Sequence, residues 1–184
     1  MGLEERTCRH RCVEAWAMAV PWTGFPLSKL IDFFVPQNKA THIRMITYSN
    51  PGQMIGVATQ DFYPWPYFEG LRMEEAMNEL AFIATGIFGK PLPKQHGAPW
   101  RLVVPWKYGY KSIKSMVKIE FIDFEPETFW HKVAPNEFGF LSNVNPEIPH
   151  PNWSQATERL IPNNEIRQTV KYNGYGEYVA YMYD

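Results

Sequence analysis

Thr7-Cys8-Arg9-His10-Arg11-Cys12-Val13-Glu14-Ala15-Trp16 is the stretch on which the fold and function of this chain turn. It holds both cysteines of the protein, with Arg9, His10 and Arg11 between them. A thiol acts as a metal ligand or nucleophile only as the thiolate, and cationic neighbours lower its pKa. In an extended strand side chains alternate faces, so Cys8, His10 and Cys12 share one side, and Arg9 and Arg11 the other. The apolar run Val13 to Val20 follows at once. Cys12 therefore stands at the edge between a polar and a buried segment, where a reactive group is displayed.

Chemistry alone leaves several uses open. Cys8 and Cys12 can be small core fillers, since free cysteine is often buried and inert. A Cys-His-Cys zinc set is short of the usual four ligands, and no second Cys/His pair with finger spacing exists. A disulfide is disfavoured, because two cysteines this close on one strand face are awkward for bridge geometry. The last use is a single cysteine ligating a redox metal.

Outward from this stretch, Leu3 to Cys12 reads as a strand, and the apolar segment after it ends at Pro21. Lys29 to Phe34 reads as a short helix that Pro36 terminates. His42 to Tyr48 is a strand, Asn50-Pro51-Gly52 a turn and Met54 to Ala58 a second short strand. Asp61-Phe62-Tyr63-Pro64-Trp65-Pro66-Tyr67-Phe68 is the most aromatic segment, and its prolines forbid a regular helix. It is either a hydrophobic cluster packed under a loop or a wall of a substrate funnel suited to a thioether. Met73 to Glu79 carries a helical apolar spacing. Trp100 to Trp106 and Met116 to Phe124 are strands, Trp153 to Leu160 a short helical turn, and Gly174 to Tyr183 a final helix. The expected architecture is a single α+β domain over 1–184, with a mixed sheet, many loops and more strands than helices.

A second constellation lies in His96–Lys114. Arg101, Lys107, Lys111 and Lys114 fall close together, with Gly97 and Gly109 allowing close backbone approach. This suits a phosphorylated polar cofactor, since arginine offers a bidentate fork, lysine a point charge and glycine-flanked amides further donors. An ordinary solvated basic loop is the competing use. No Walker loop or dinucleotide fingerprint occurs, so a nucleotide is a poor candidate.

At 184 residues the chain has the length of one domain, and 45% hydrophobic residues suffice for a real core. The formal net charge of −1 gives no electrostatic case for nucleic acid. No apolar run approaches a membrane span. Met1-Gly2-Leu3-Glu4-Glu5-Arg6 is charged from the start and is not an export signal.

Arg11-Cys12-Val13-Glu14-Ala15-Trp16, followed by Val20-Pro21-Trp22-Thr23-Gly24-Phe25-Pro26-Leu27, resembles the molybdenum-ligand segment of the sulfite-oxidase superfamily. More narrowly it resembles the catalytic subunits of bacterial periplasmic protein-methionine-sulfoxide reductases. Further blocks match in order: Tyr67 to Met77, Ala84-Thr85-Gly86 with Gly89 to Pro93, Gln95 to Gly109, Lys111 to Ser115, Asn143 to Pro146, and His150 to Arg159.

The resemblance implies a loop-rich, sulfite-oxidase-type molybdopterin-binding fold. It also implies a molybdenum–pyranopterin cofactor (molybdopterin) with a terminal phosphate, in the mononucleotide-free form. Carried over, Cys12 is the molybdenum ligand, and Glu14, on its strand side, tunes the metal. Thr47, His96, Arg101, Ser112, Ile113 and Lys114 fall on pterin- and phosphate-contacting positions. His96 stands where some members have asparagine. Cys8 has no family counterpart and is structural. The implied reaction reduces S-oxides such as protein methionine sulfoxide by oxygen-atom transfer, in the periplasm, with a haem-containing membrane protein as electron donor. Trp106-Lys107-Tyr108 and the nearby aromatics favour a neutral S-oxide over sulfite. Sulfite oxidation and a cofactor-free, non-enzymatic remnant of the fold are the alternatives. Family members carry a long segment before the cysteine motif, with several cofactor contacts, that has no counterpart here.

Overall fold

The structure, a computed structural model, describes residues 2–183. β1 (Glu4–Arg11) and β2 (Trp16–Pro26) form one long antiparallel hairpin, registered from Glu4 opposite Gly24 to Arg11 opposite Ala17. Alternation along β1 sends Cys8 into the core, as a strand requires. β2 runs straight through Pro21, where the sequence predicts an end. It pairs with a later strand over Trp16–Ala17 and with another from Trp22 onward. Pro21 thus falls between those two pairings, where its carbonyl accepts the Phe88 N–H at 3.0 Å but no ladder bond calls for an N–H of its own.

The chain continues through α1 (Leu27–Phe34), β3 (His42–Thr47), α2 (Ile55–Thr59), β4 (Phe68–Arg72), α3 (Met73–Met77), β5 (Phe82–Ile87) and β6 (Lys90–Pro91). β7 (Arg101–Val103), β8 (Met116–Ile122), α4 (Phe129–Val133), β9 (Thr157–Leu160), β10 (Ile166–Gln168) and α5 (Gly176–Val179) complete it. One sheet has the order β10-β9-β2-β5-β6, with β1 also on β2 and β7 on β5. It is mixed, because β9 joins β2 in parallel while β2 meets β1 and β5 antiparallel. The second sheet has the order β4-β3-β8. The larger core, around Leu27, Ile43, Met45, Leu71, Ile83, Leu102 and Trp106, draws on both sheets. A smaller one gathers Cys8, Val20, Trp22, Phe82 and Val103. The α+β class and the mixed sheet are as the sequence predicts.

Two segments differ in kind from expectation. Met54 to Ala58, predicted as a strand, forms α2. Its β-branched residues have no sheet edge to join, and local hydrogen bonds from Val57 and Ala58 to the Met54 carbonyl take over. Ile55 is exposed, so no second apolar face was available to fix a strand. Trp153 to Leu160, predicted as a helical turn, yields β9, because Trp16 and Ala17 offer an open edge that pairs with Arg159 and Leu160. The final helix is realised only as α5 and a 3-10 turn over Ala180–Met182. Among the described residues no helix is long and apolar enough to cross a membrane.

Candidate functional site

Cys12 leaves β1 and opens a tight loop into β2. Its N–H donates to the Trp16 carbonyl at 2.9 Å, and the Ala15 N–H donates back to the Cys12 carbonyl at 3.1 Å. Ala15 takes a left-handed conformation (φ 62) to close the loop. The Cys12 thiol is half-buried, and its Sγ lies 4.0 Å from Glu14 Oε2. The pair meets because the chain turns, not because the two residues share a strand face.

The arginines beside Cys12 do not activate it as the sequence predicts. Burial pushes the Cys12 thiol up, the Glu14 carboxylate adds to that, and Arg11 offsets only part of it. The reason is that Arg11 faces elsewhere. Its fully buried guanidinium donates to Glu158 Oε2 at 3.0 Å, Gln155 Oε1 at 2.9 Å and Thr169 Oγ1 at 3.3 Å. Arg9 Nη2 reaches the same Glu158 carboxylate at 2.5 Å, and Arg167 Nε at 2.8 Å. Arg11 also donates to the Cys12 carbonyl. Gln155 Nε2 and Trp153 Nε1 donate to the next carbonyl, Val13 O. The loop's backbone is thus held by side chains about 140 residues away. Sequence reasoning assigned Trp153, Gln155 and Glu158 no role. A lone polar residue in a loop-rich segment carries no local signal of the partner it will meet.

The basic constellation splits in two. Lys107 and Lys111, both buried, belong to the core: Lys107 Nζ lies 2.5 Å from Glu75 Oε1, and Lys111 Nζ 2.7 Å from Glu69 Oε2. They are not free to hold a phosphate. Arg101 differs. It is 8% exposed, and its hydrogen bonds go to the carbonyls of Leu102, His96 and Ser112. Among the described residues no carboxylate pairs with it, and burial alone pulls its pKa down to about 10. A buried guanidinium without a counter-charge is expensive, and an anionic ligand is the economical remedy.

The other predicted cofactor residues converge on Arg101. Thr47 Oγ1 donates to the Lys114 carbonyl at 2.8 Å. Ser112 Oγ accepts the Val104 N–H at 3.2 Å, and the Ile113 carbonyl accepts the Leu102 N–H at 2.9 Å. Lys114 Nζ reaches the Gln95 carbonyl at 3.0 Å. Gly97 makes the cluster possible: at φ 112, a Cβ there would sit 3.0 Å from the Cβ atoms of both Arg101 and Lys114. His96 joins only through its carbonyl, since its side chain is exposed.

His10, two residues before Cys12, feels the charge of this cluster. Its ring occupies the space a side chain at Gly109 would fill. Burial, and then the Arg101 charge, lower its pKa to about 4, so it is neutral near Arg101 at ordinary pH. Cys8 is buried in the smaller core, and both thiols are free. The aromatic segment packs as a cluster: Tyr67 and Trp65 lie 4.7 Å and 5.2 Å from the Phe129 ring. It does not line the cavity of about 360 Å³ that opens beside Val13, Tyr108 and Gln155.

A half-buried thiol thus stands at the β1–β2 turn, a neutral imidazole on β1, and on β7 a buried arginine that no carboxylate pairs among the described residues. Residues 1–130 match the oxidoreductase molybdopterin binding domain, and the chain belongs to that family. The chain is 52% identical, over 98% of its length, to the protein-methionine-sulfoxide reductase catalytic subunit MsrP of Burkholderia mallei, and covers 56% of that protein. It is 50% identical to the subunit of the same name from Gluconobacter oxydans, over 99% of this chain and 60% of that one. The chain thus spans little more than half the length of these curated relatives. Its fold is also that of the sulfane dehydrogenase SoxCD of Paracoccus pantotrophus, with a TM-score of 0.55 at 17% identity, over 91% of this chain and 38% of that one.

Proposed function

We propose that this chain carries the metal-ligand and phosphate-binding part of a molybdopterin-dependent S-oxide reductase, acting on methionine sulfoxide in proteins. The observation that carries this is the buried Arg101 guanidinium, which no carboxylate pairs among the described residues, set with Lys114 against Gly97 and near enough to His10, on the strand leading to Cys12, for its charge to be felt there. The donor set fits the group: one half-exposed sulfur for a soft metal, and Arg101 and Lys114, which no carboxylate pairs among the described residues, for a phosphate. Cys12 would hold the metal. Arg101, Lys114, Ser112 and the Thr47 hydroxyl would hold the pterin and its phosphate, in the mononucleotide-free form. When bound, the group supplies two-electron oxygen-atom-transfer chemistry.

The overall change converts a sulfoxide, two electrons and two protons into a thioether and water. The chain's own residues bind and orient. Glu14, next to Cys12 Sγ, modulates the sulfur's electron density. On this reading the electrons come from a haem-containing membrane partner and the setting is the periplasm, as the family resemblance implies. Sulfite oxidation is less well supported: no arginine lines the cavity beside the Cys12 loop, and a dianion wants several. A cofactor-free role leaves the Arg101 charge unexplained.

The test is metal and phosphorus content per chain, with methionine-sulfoxide and sulfite turnover assayed side by side under a viologen donor. Cys12→Ser is expected to abolish sulfoxide turnover and leave the melting temperature within about 2 °C, since a half-exposed thiol-to-hydroxyl change removes no core volume. Turnover surviving in the Ser variant would remove the ligand assignment.

A further inference from the structure

The cavity beside the Cys12 loop is built almost wholly by a part of the chain that the family match does not cover. It measures about 360 Å³, at the small end of the roughly 300–1,000 Å³ usual for small-molecule sites. One wall is Val13, the residue after Cys12, and Tyr108, whose ring lies 5.8 Å from the Arg11 guanidinium. Most of the remaining wall, including Ser142, Lys171, Tyr172 and Tyr183, comes from beyond residue 130, where the family match stops.

Three features of that wall point to a ligand. First, it holds non-glycine residues in the left-handed region, Ser142 (φ 48) and Tyr172 (φ 52), with Asn173 (φ 56) directly behind. Each such residue costs about 1–3 kcal/mol, and such strain persists where the surroundings over-determine it, often at ligand clamps. Here the surroundings do so: the Tyr172 N–H donates to the Val144 carbonyl at 2.7 Å, and Asn173 Nδ2 to the Pro105 carbonyl at 2.8 Å. The strained pair sets the Tyr172 ring 5.6 Å from Tyr183 and nearly parallel to it, so that the stacked pair lines the cavity with Lys171 Nζ 5.2 Å over the Tyr172 ring. Second, the charges on the wall balance. Lys171 and Glu137 line it together with His150, whose Nε2 lies 3.0 Å from Glu137 Oε2, and among the described residues no arginine does. Third, the Tyr108 hydroxyl is loosely committed, with both its contacts to Asn145 at 3.4 Å.

We propose that this cavity is the recognition pocket for the organic half of a neutral dialkyl sulfoxide, a methionine-sulfoxide side chain. The segment after residue 130 then sets which S-oxide the site accepts, while the matched region holds the cofactor. The methyl and γ-methylene groups lie against the Tyr172 and Tyr183 ring edges, where sulfur–aromatic attraction also favours the thioether product. The Tyr108 hydroxyl donates to the sulfoxide oxygen. Balanced wall charge favours a neutral ligand over sulfite. This assignment rests on the function proposed above.

The experiment titrates the protein with N-acetyl-methionine-sulfoxide methylamide, and with the corresponding sulfone, which lacks the sulfoxide lone pair, following backbone amide NMR shifts. Shifts are expected at Val13, Ser142 and Tyr172, with no displacement of the probe by sulfite. Tyr172→Leu is expected to weaken probe binding, and to raise the sulfoxide KM, by at least about tenfold with metal content unchanged. Tyr181→Leu, on an exposed ring outside the cavity, is expected to change neither. Should Tyr172→Leu not fold, Tyr108→Phe removes one hydroxyl only, and at least a severalfold rise in KM at near-constant kcat is expected. Wild-type probe binding and KM in a folded Tyr172→Leu variant, or in Tyr108→Phe, would overturn the pocket while leaving the reductase assignment standing. A metal-loaded wild type that reduces no sulfoxide overturns the reductase assignment instead.

Discussion

Gln155 Nε2 donates a 2.7 Å hydrogen bond to the carbonyl of Val13, the residue that follows the candidate metal ligand. The same side chain accepts from Arg11 Nη2 at 2.9 Å, so one buried amide braces the Cys12 loop on both sides. Gln155→Leu leaves a buried guanidinium N–H unsatisfied and Val13 O with Trp153 alone, a loss of about 1–3 kcal/mol. Gln155→Glu keeps an acceptor for Arg11, but it loses the donor and turns a carboxylate oxygen toward the Val13 carbonyl, a repulsion that the Arg11 charge offsets in part. Urea denaturation should therefore rank wild type above Gln155→Glu above Gln155→Leu. Alkylation of Cys12 by iodoacetamide at fixed pH should speed up in both variants as the loop loosens. Unchanged alkylation in Gln155→Leu would show that the brace does not control the sulfur.

Gly97 brings Arg101 and Lys114 together, and it does so at φ 112, which a side chain tolerates poorly. Gly97→Ala forces the loop away from both cations. Arg101→Ala removes the charge outright. Both variants are expected to retain at least about tenfold less phosphorus per chain after dialysis, since a charge-assisted phosphate contact is worth at least one power of ten. Arg101→Lys should recover only part, because a point charge does not replace a fork. Phosphorus analysis and metal analysis on the same samples check this.

Glu75 and Lys107 give a pH-dependent stability. Burial alone would raise the Glu75 carboxyl, but the charge and hydrogen bond of Lys107 outweigh it and hold the group below its usual range. A depressed carboxyl contributes stability that is fully present above the unfolded value of about 4.5 and is lost as pH falls through the lower folded value. Glu75→Gln strands a buried ammonium and is expected to cost about 3–5 kcal/mol near neutrality. The gap between wild type and variant should narrow as pH drops below about 4.5, because the protonated wild-type carboxyl then resembles the amide. Thermal melts from pH 7 to pH 3 measure it. A gap independent of pH would mean the carboxyl does not carry the effect.

The border position of Cys12 and the glycine-flanked cations were legible in the residues themselves, and the order of the blocks pointed to the family. Thr47, His96 and Ser112 to Lys114 were singled out by that resemblance and not by local chemistry. The chain alone could not sort its cations. Lys107 and Lys111 look no different from Lys114 in sequence, yet they close onto Glu75 and Glu69 in the core. Nor could strand alternation foresee that the arginines flanking Cys12 would turn to Glu158 and leave the thiol pushed up.

Local pattern therefore determined the strand that leads into Cys12, the α+β class and the chemistry available on each segment, because periodicity and residue type act over a few neighbours. Tertiary structure decided which charges are neutralised, that Met54 to Ala58 coils while Thr157 to Leu160 extends, and where the cavity opens. Those outcomes depend on partners far away in sequence, as with Trp16 against Arg159 and Gln155 against Val13, and the cost of burying an unmatched charge or an unpaired strand edge is settled only when they meet.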